Sequence, residues 1–321
     1  MSSKMQSALG KTRKIFLGSK TRRGIVPSTV TYVALISLGF AYLLPLFNII
    51  VQSIMTTQDI VDPMVVWVPT RFYMGHFRQA WNVLNFTEGL YLTVVMSVIP
   101  AILQTISTAL AGYAFARYEF PLKRLWIVML ILVYIVPTQV LMLPRFLMYL
   151  DMGIGNLPPL PTFLPAIFGQ GLRSSIFVMI FYQFFHSYPK SLDEAAEIDG
   201  CGRMKLFWKI AVPMVKPAIV ISLLFSVVWY WNETSMFGMF YGQVRDVSLL
   251  GVPIEGHFES LPLRILRFHD RFEDLEGVAA QLLDSVTFAG TLLSMLPILI
   301  LYLVLQRHFV ESVERSGITG E

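Results

Sequence analysis

The chain has 321 residues, 55% of them apolar and 14% charged, with a mean hydropathy of +0.61 and a formal charge of +4. A water-soluble domain needs more polar side chains than this to cover its core, so much of the apolar surface must face lipid. The single cysteine, Cys201, excludes an intramolecular disulfide framework and a cysteine-rich metal site.

Residues 1–28 carry Lys4, Lys11, Arg13, Lys14, Lys20, Arg22 and Arg23 and no acid. Directly ahead of a hydrophobic span, such a tail marks the cytoplasmic side and not a nucleic-acid site. Six segments reach or approach the roughly 20 apolar residues that cross a bilayer as a helix. They cover 29–52, 90–116, 125–147, 171–185, 210–231 and 286–305. The first is too long for a signal-peptide core and lacks a small-x-small cleavage site after Ile50. Between the first two, residues 54–89 with Pro63, Trp67, Pro69 and Trp81 read as an outside segment partly structured against the membrane surface. Residues 151–170, with Pro158, Pro159, Pro161 and Pro165, read as a compact outside turn region. In the fourth span Arg173 and Ser174 shorten the apolar run.

With the N-terminus inside, the predicted inside loops hold Arg117, Lys123 and Arg124, then Lys190, Arg203, Lys205 and Lys209, then Arg307 and Arg315. The long outside loop, 233–285, is acidic: Glu233, Asp246, Glu255, Glu259, Asp270, Glu273, Asp274, Glu276 and Asp284 against Arg245, Arg264, Arg267 and Arg271. This agrees with the positive-inside rule and puts both termini in the cytoplasm.

The inside segment from Ser191 to Pro217 has the pattern of two short helices and a turn. Ser191 as N-cap and Glu194 three residues on form a capping box, and Asp193 adds charge that the helix dipole favours. Asp199-Gly200 is a turn signal, and Gly202 allows close backbone approach. Met204, Phe207 and Ala211, with Leu206 and Ile210 beside them, give the second helix an apolar face. Pro213 and Pro217 loosen the backbone ladder where the fifth span begins. Such a loop must fold against the spans or dock on another protein.

The run Glu194, Ala195, Ala196, Asp199, Gly200, Phe207, Ile210, Pro213 and Pro217 resembles the EAA loop of ABC-importer permeases. Cys201 stands where that family usually has alanine, which favours packing over redox chemistry. Ala111 to Arg117, Trp231-Asn232-Glu233 and Gln306 to Val310 extend the resemblance to the MalG-like subunit of the carbohydrate-uptake branch. The 233–285 loop is longer than is usual there.

The resemblance implies an all-α membrane protein of about six transmembrane helices, with a transmembrane domain over 29–307, a coupling loop at 189–209 and a cytoplasmic tail at 308–321. It implies a permease that forms half of a solute route, for a mono- or oligosaccharide, in the bacterial inner membrane. Its partners would be a second homologous permease, two ATPase subunits, an extracytoplasmic solute-binding protein and membrane lipid. ATP and Mg would sit on the ATPase, with no cofactor or metal on this chain. The EAA loop would insert into a cleft of the ATPase, Glu194 meeting a basic group there while also capping its own helix. Phe207 and Met204 would fill an apolar pocket, in the partner or under the loop. Asp199 and Gly200 would make the turn.

Gly10-Lys11-Thr12 echoes a phosphate loop but lacks the earlier glycine, so ATP hydrolysis on this chain is not expected. Two rival readings are a membrane-embedded sugar or lipid transferase and an ion-coupled carrier; a permease for an amino acid or peptide is the nearer alternative. The five histidines are scattered, each read as a surface or interfacial residue. Arg145 lies near the outer end of the third span and is a candidate for the solute route, with an interface anchor as the plainer alternative. Trp231 and Asn232 are further route candidates, while Trp229 to Trp231 read first as an outer aromatic belt.

Overall fold

The computed structural model describes residues 18–19, 22–169, 171–268 and 278–318. Most of the predicted basic tail, residues 269–277 of the predicted outside loop and residues 319–321 lie outside the described residues, as do the side chains beyond Gln306. The chain divides into two compact units, 1–76 with 276–289 and 77–275 with 290–321.

In the first unit a short strand pair, β1 (Gly18–Ser19) and β2 (Arg22–Arg23), precedes α1 (Ile25–Ile54). Helix α1 matches the predicted first span, and its side chains Ile36, Leu38, Phe40 and Tyr42 are exposed, as lipid contact requires. The segment beyond it folds back on the helix end. Thr56 and Asp59 form a reciprocal capping box at α2 (Thr57–Val61), and the Thr70 hydroxyl donates to Asp59 Oδ1 at 2.6 Å. That bond holds the Asp59 carboxyl below its usual range. The Tyr73 amide donates to Ile54 O, and His76 Nε2 lies 3.1 Å from Met55 O. His76, expected at the surface or an interface, is buried, and its ring stacks edge-on against Tyr73.

The chain continues through α3 (Gly75–Val83) into α4 (Phe86–Arg117), the central helix of the second unit. At 32 residues it is about 48 Å long. It packs against α7 (Leu160–Phe168), α8 (Gly171–Ser187) and α11 (Lys216–Trp231). Gly112 makes the crossing with α8 close, because a Cβ there would sit 2.5 Å from the Cβ of Phe181.

Two predicted spans are broken. The third consists of α5 (Lys123–Ile135) and α6 (Thr138–Asp151), bent by 99°. Pro137 lacks an amide proton and pushes Val136 out of helical geometry, while the hydropathy on both sides stays high. The fifth was predicted to begin at Ile210. Instead Ile210 belongs to α10 (Arg203–Met214), which contains a π-turn at Phe207–Ala211, and the membrane helix α11 starts at Lys216 after an 81° bend at Val215. Pro213 and Pro217 flank that bend.

The predicted turn region 151–170 contains a helix, α7, with Pro161 in its first turn, where proline fits. The predicted outside loop is also structured: α12 (Ser235–Tyr241), the hairpin of β3 (Arg245–Leu249) and β4 (Val252–His257), and α13 (Leu261–Leu266). The last helix, α14 (Val278–Ile318), outruns the predicted span at both ends. Among the described residues, four helices are long and apolar enough to cross a membrane, or up to six if each bent pair is one span.

Candidate functional site

Residues 188–214 form a helix-turn-helix held on the end of α4. Helix α9 (Ser191–Ile198) starts one residue earlier than the capping-box prediction allows: Lys190 is the cap, and it makes no side-chain cap bond. The acid in its first turn that anchors it is Asp193. Its Oδ2 lies 3.4 Å from Arg117 Nε, and its Oδ1 accepts from the Tyr188 hydroxyl at 2.9 Å. The Arg117 guanidinium also donates to Tyr188 O at 2.8 Å and stacks 3.6 Å from that ring's centre. Burial, reinforced by Asp193, raises the Tyr188 phenol far above its ordinary pKa, so it stays a donor.

The turn after α9 is a Schellman motif. Cys201 N donates to Ala196 O at 2.9 Å and Gly200 N to Glu197 O at 3.0 Å, with Gly200 at φ +75°. Ala196 is buried in a cluster with Tyr113, Phe185 and Phe207, and the half-buried Cys201 packs against that cluster. Phe207, 2% exposed, fills the space under the loop, with its ring centre 5.0 Å from that of Tyr113. Ala211, Leu206 and Val215 complete this cluster, and Ile210 flanks it.

The outward face is different. Glu194, Ala195, Asp199 and Pro213 are exposed and Pro217 half-buried. Ile198 is 87% exposed and Met204 64%, with Trp208 and Leu192 also outside. Sequence reasoning singled out Met204 but missed Ile198 and Trp208; a large apolar residue two before the glycine of the turn was the available signal.

A second constellation lies along the helices. Gln104, fully buried in α4, donates to Ser174 Oγ at 3.2 Å and accepts from Ser226 Oγ at 3.3 Å, so one amide joins α4, α8 and α11. Beside Ser174, Arg173 Nη2 pairs with Glu233 Oε2 at 2.8 Å, and its guanidinium carbon lies 5.6 Å from the Trp229 ring centre. Glu233, predicted as a loop acid, is thus drawn onto α8. Half-buried Arg145 on α6 lies close enough to Tyr149, Glu233, Arg173 and Tyr230 to interact with each electrostatically. Trp231 and Tyr230 are buried, which removes them from an outer aromatic belt, and Asn232 is exposed with its amide on Val228 O.

At the opposite end of α4, Arg264 is buried and donates to Leu84 O, Asn85 O and Glu259 O while pairing with Glu88. Leu261 N donates to Thr93 Oγ1 at 2.8 Å, and the Tyr91 hydroxyl to Leu249 O at 3.0 Å. Both ends of one helix are therefore clamped, each by an arginine.

Residues 108–315, which run from α4 through the helix-turn-helix and the charged constellation into α14, match the family described as binding-protein-dependent transport system inner membrane component. The chain belongs to this family. The permease is 27% identical to the melibiose/raffinose/stachyose import permease protein MelC of Bacillus subtilis (strain 168), over 87% of this chain and 92% of that protein. It is 25% identical to the diacetylchitobiose uptake system permease protein DasC of Streptomyces coelicolor, over 92% of this chain and 96% of that one. The crystal structure of a bacterial ABC transporter involved in the import of the acidic polysaccharide alginate has the same fold, with a TM-score of 0.70 at 19% identity, covering 88% of this chain and 96% of that one. The permease is the membrane-spanning subunit of an ABC importer and not an enzyme; the ATPase is a separate subunit.

Proposed function

We propose that this permease carries a mono- or oligosaccharide, and that residues 188–214 couple its movement to ATP hydrolysis on the partner. The relatives named for sugar uptake support the substrate class. The observation that carries the coupling role is the exposure of Ile198 and Met204, together with Leu192 and Trp208, on a helix-turn-helix whose Ala196, Leu206, Phe207 and Ala211 are buried. Exposed groups of this size on a rigid motif match an apolar cleft in a partner. Glu194, exposed on the same helix, meets a basic group there; Ala195, small and exposed, allows close approach.

In this reading the 189–209 loop and both termini are cytoplasmic and the 233–285 segment faces outward. The complex contains a second homologous permease, two ATPase subunits and an extracytoplasmic binding protein, and the solute passes between the permeases. ATP binding closes the ATPase pair, and the Arg117–Asp193–Tyr188 network transmits the displacement to α4 as a rigid-body shift between inward- and outward-facing states.

The test is to tag this chain, extract the native complex in mild detergent and identify the co-purifying chains by mass spectrometry. An ATPase and a second permease are expected, with the ATPase lost in a Glu194→Lys, Gly200→Val double variant. Recovery of this chain alone from a well-behaved extract contradicts the reading.

A further inference from the structure

Arg173 stands in the first turn of α8, with its side chain 20% exposed. Its neighbour Ser174 is bonded to Gln104, which stands about 20 Å of helix from Arg117 at the loop-bearing end of α4. A bilayer's hydrocarbon core is about 30 Å thick, so Arg173, Glu233 and Arg145 fall within it or at its far margin. Charges at that depth are costly against lipid and face a partner or a water-filled route. Their balance is uneven: two guanidinium groups share one carboxylate, and among the described residues Arg145 has no ion pair of its own. Each arginine also holds a buried Nη1 with no hydrogen-bond partner among the described residues. Glu233 is already committed, through Oε2 to Arg173 and through Oε1 to the Met236 amide.

We propose that Arg145 and Arg173 form an anion subsite on the solute route, which accepts the carboxylate of an acidic saccharide. The proposal rests on the importer reading above and narrows its substrate class. A neutral sugar would leave the excess positive charge uncompensated in a medium of low dielectric; a carboxylate neutralises it and offers two oxygens to a planar fork of N–H donors. Trp229, which is only half-buried and flanks Arg173, supplies an apolar face against which a pyranose ring can lie.

The experiment uses the intact permease–ATPase complex in lipid nanodiscs. Binding of radiolabelled uronate disaccharides is measured, with the neutral galactobiose as competitor, for the wild type, Arg145→Gln and Arg145→Lys. The wild type is expected to bind the uronates with little displacement by galactobiose. Arg145→Gln should weaken binding at least tenfold, and Arg145→Lys should recover part of it. Absence of uronate binding to the wild type, equal competition by galactobiose, or unchanged binding in Arg145→Gln overturns the proposal. Loss of the second permease from the Arg145→Gln complex also overturns it, since the arginine would then pair with that chain. ATPase co-purification is scored in the same preparations, so a failure of the coupling reading is separable from a failure of the subsite.

Discussion

In residues 188–214, Leu206 and Phe207 are buried while Ile198 and Met204 stand exposed; in residues 235–268, Phe237, Phe240, Tyr241 and Phe258 are all buried. Both segments are joined to α4 by an arginine, Arg117 in one case and Arg264 in the other. Of its apolar groups the second segment buries the aromatic ones through a hairpin and two short helices, while Leu250, Val252 and Leu266 stay exposed. The first satisfies about half of them and offers the remainder outward. The contrast separates a self-contained cap from a docking element.

The largest expected effect lies at the cap. Arg264→Ala removes four interactions and leaves the nearly buried Glu88 without its cation, at a cost of about 3–5 kcal/mol. Thermal unfolding of the purified protein should fall accordingly, and proteolysis should open residues 235–268 first. Retention of wild-type stability would remove the distinction between a clamped cap and a loose loop.

An intermediate effect is expected at the turn of the docking element. Gly200→Ala forces a Cβ into left-handed geometry, costing roughly 1–2 kcal/mol, although nothing within 4 Å would meet the new atom. The loss should be local, seen as faster amide exchange in 191–206 with little change in the melting of the whole chain.

A smaller effect distinguishes the segment after α1. Burial lowers the His76 pKa below 6.5, so the unfolded segment binds the proton more tightly than the folded one. The stability this neutral histidine confers is complete above about pH 6.5 and is lost as pH falls through the lowered value. Asp59, whose pKa is lowered from 3.8, acts only in stronger acid. Amide exchange across residues 55–76, corrected for intrinsic rates, should therefore increase between pH 7.5 and 5, and His76→Gln should flatten that dependence.

The sequence made the docking element legible because its chemistry is local. Gly200 must adopt a positive φ, Pro213 and Pro217 flank the bend, and Phe207 sits at helical spacing from Met204 and Ala211. It misplaced the cap of α9, because Asp193 is held by Arg117, 76 positions earlier, and no local rule contains that pairing. The break at Pro137 was hidden by uniform hydropathy, which reports membrane depth and not helix direction. Gln104, Arg173 and Glu233 were missed as a group for the same reason as Asp193: their partners lie far away in the sequence. A charged residue inside an otherwise apolar span was the one available signal, and at Arg173 it was read only as a shortened run.

The most direct test of the account places a photo-crosslinking amino acid at Ile198, and in a parallel preparation at Phe237, in the intact native complex. A crosslink from position 198 to the ATPase is expected, and none from the buried position 237. A crosslink from 198 to lipid alone, or equal labelling of the ATPase from both positions, would contradict it.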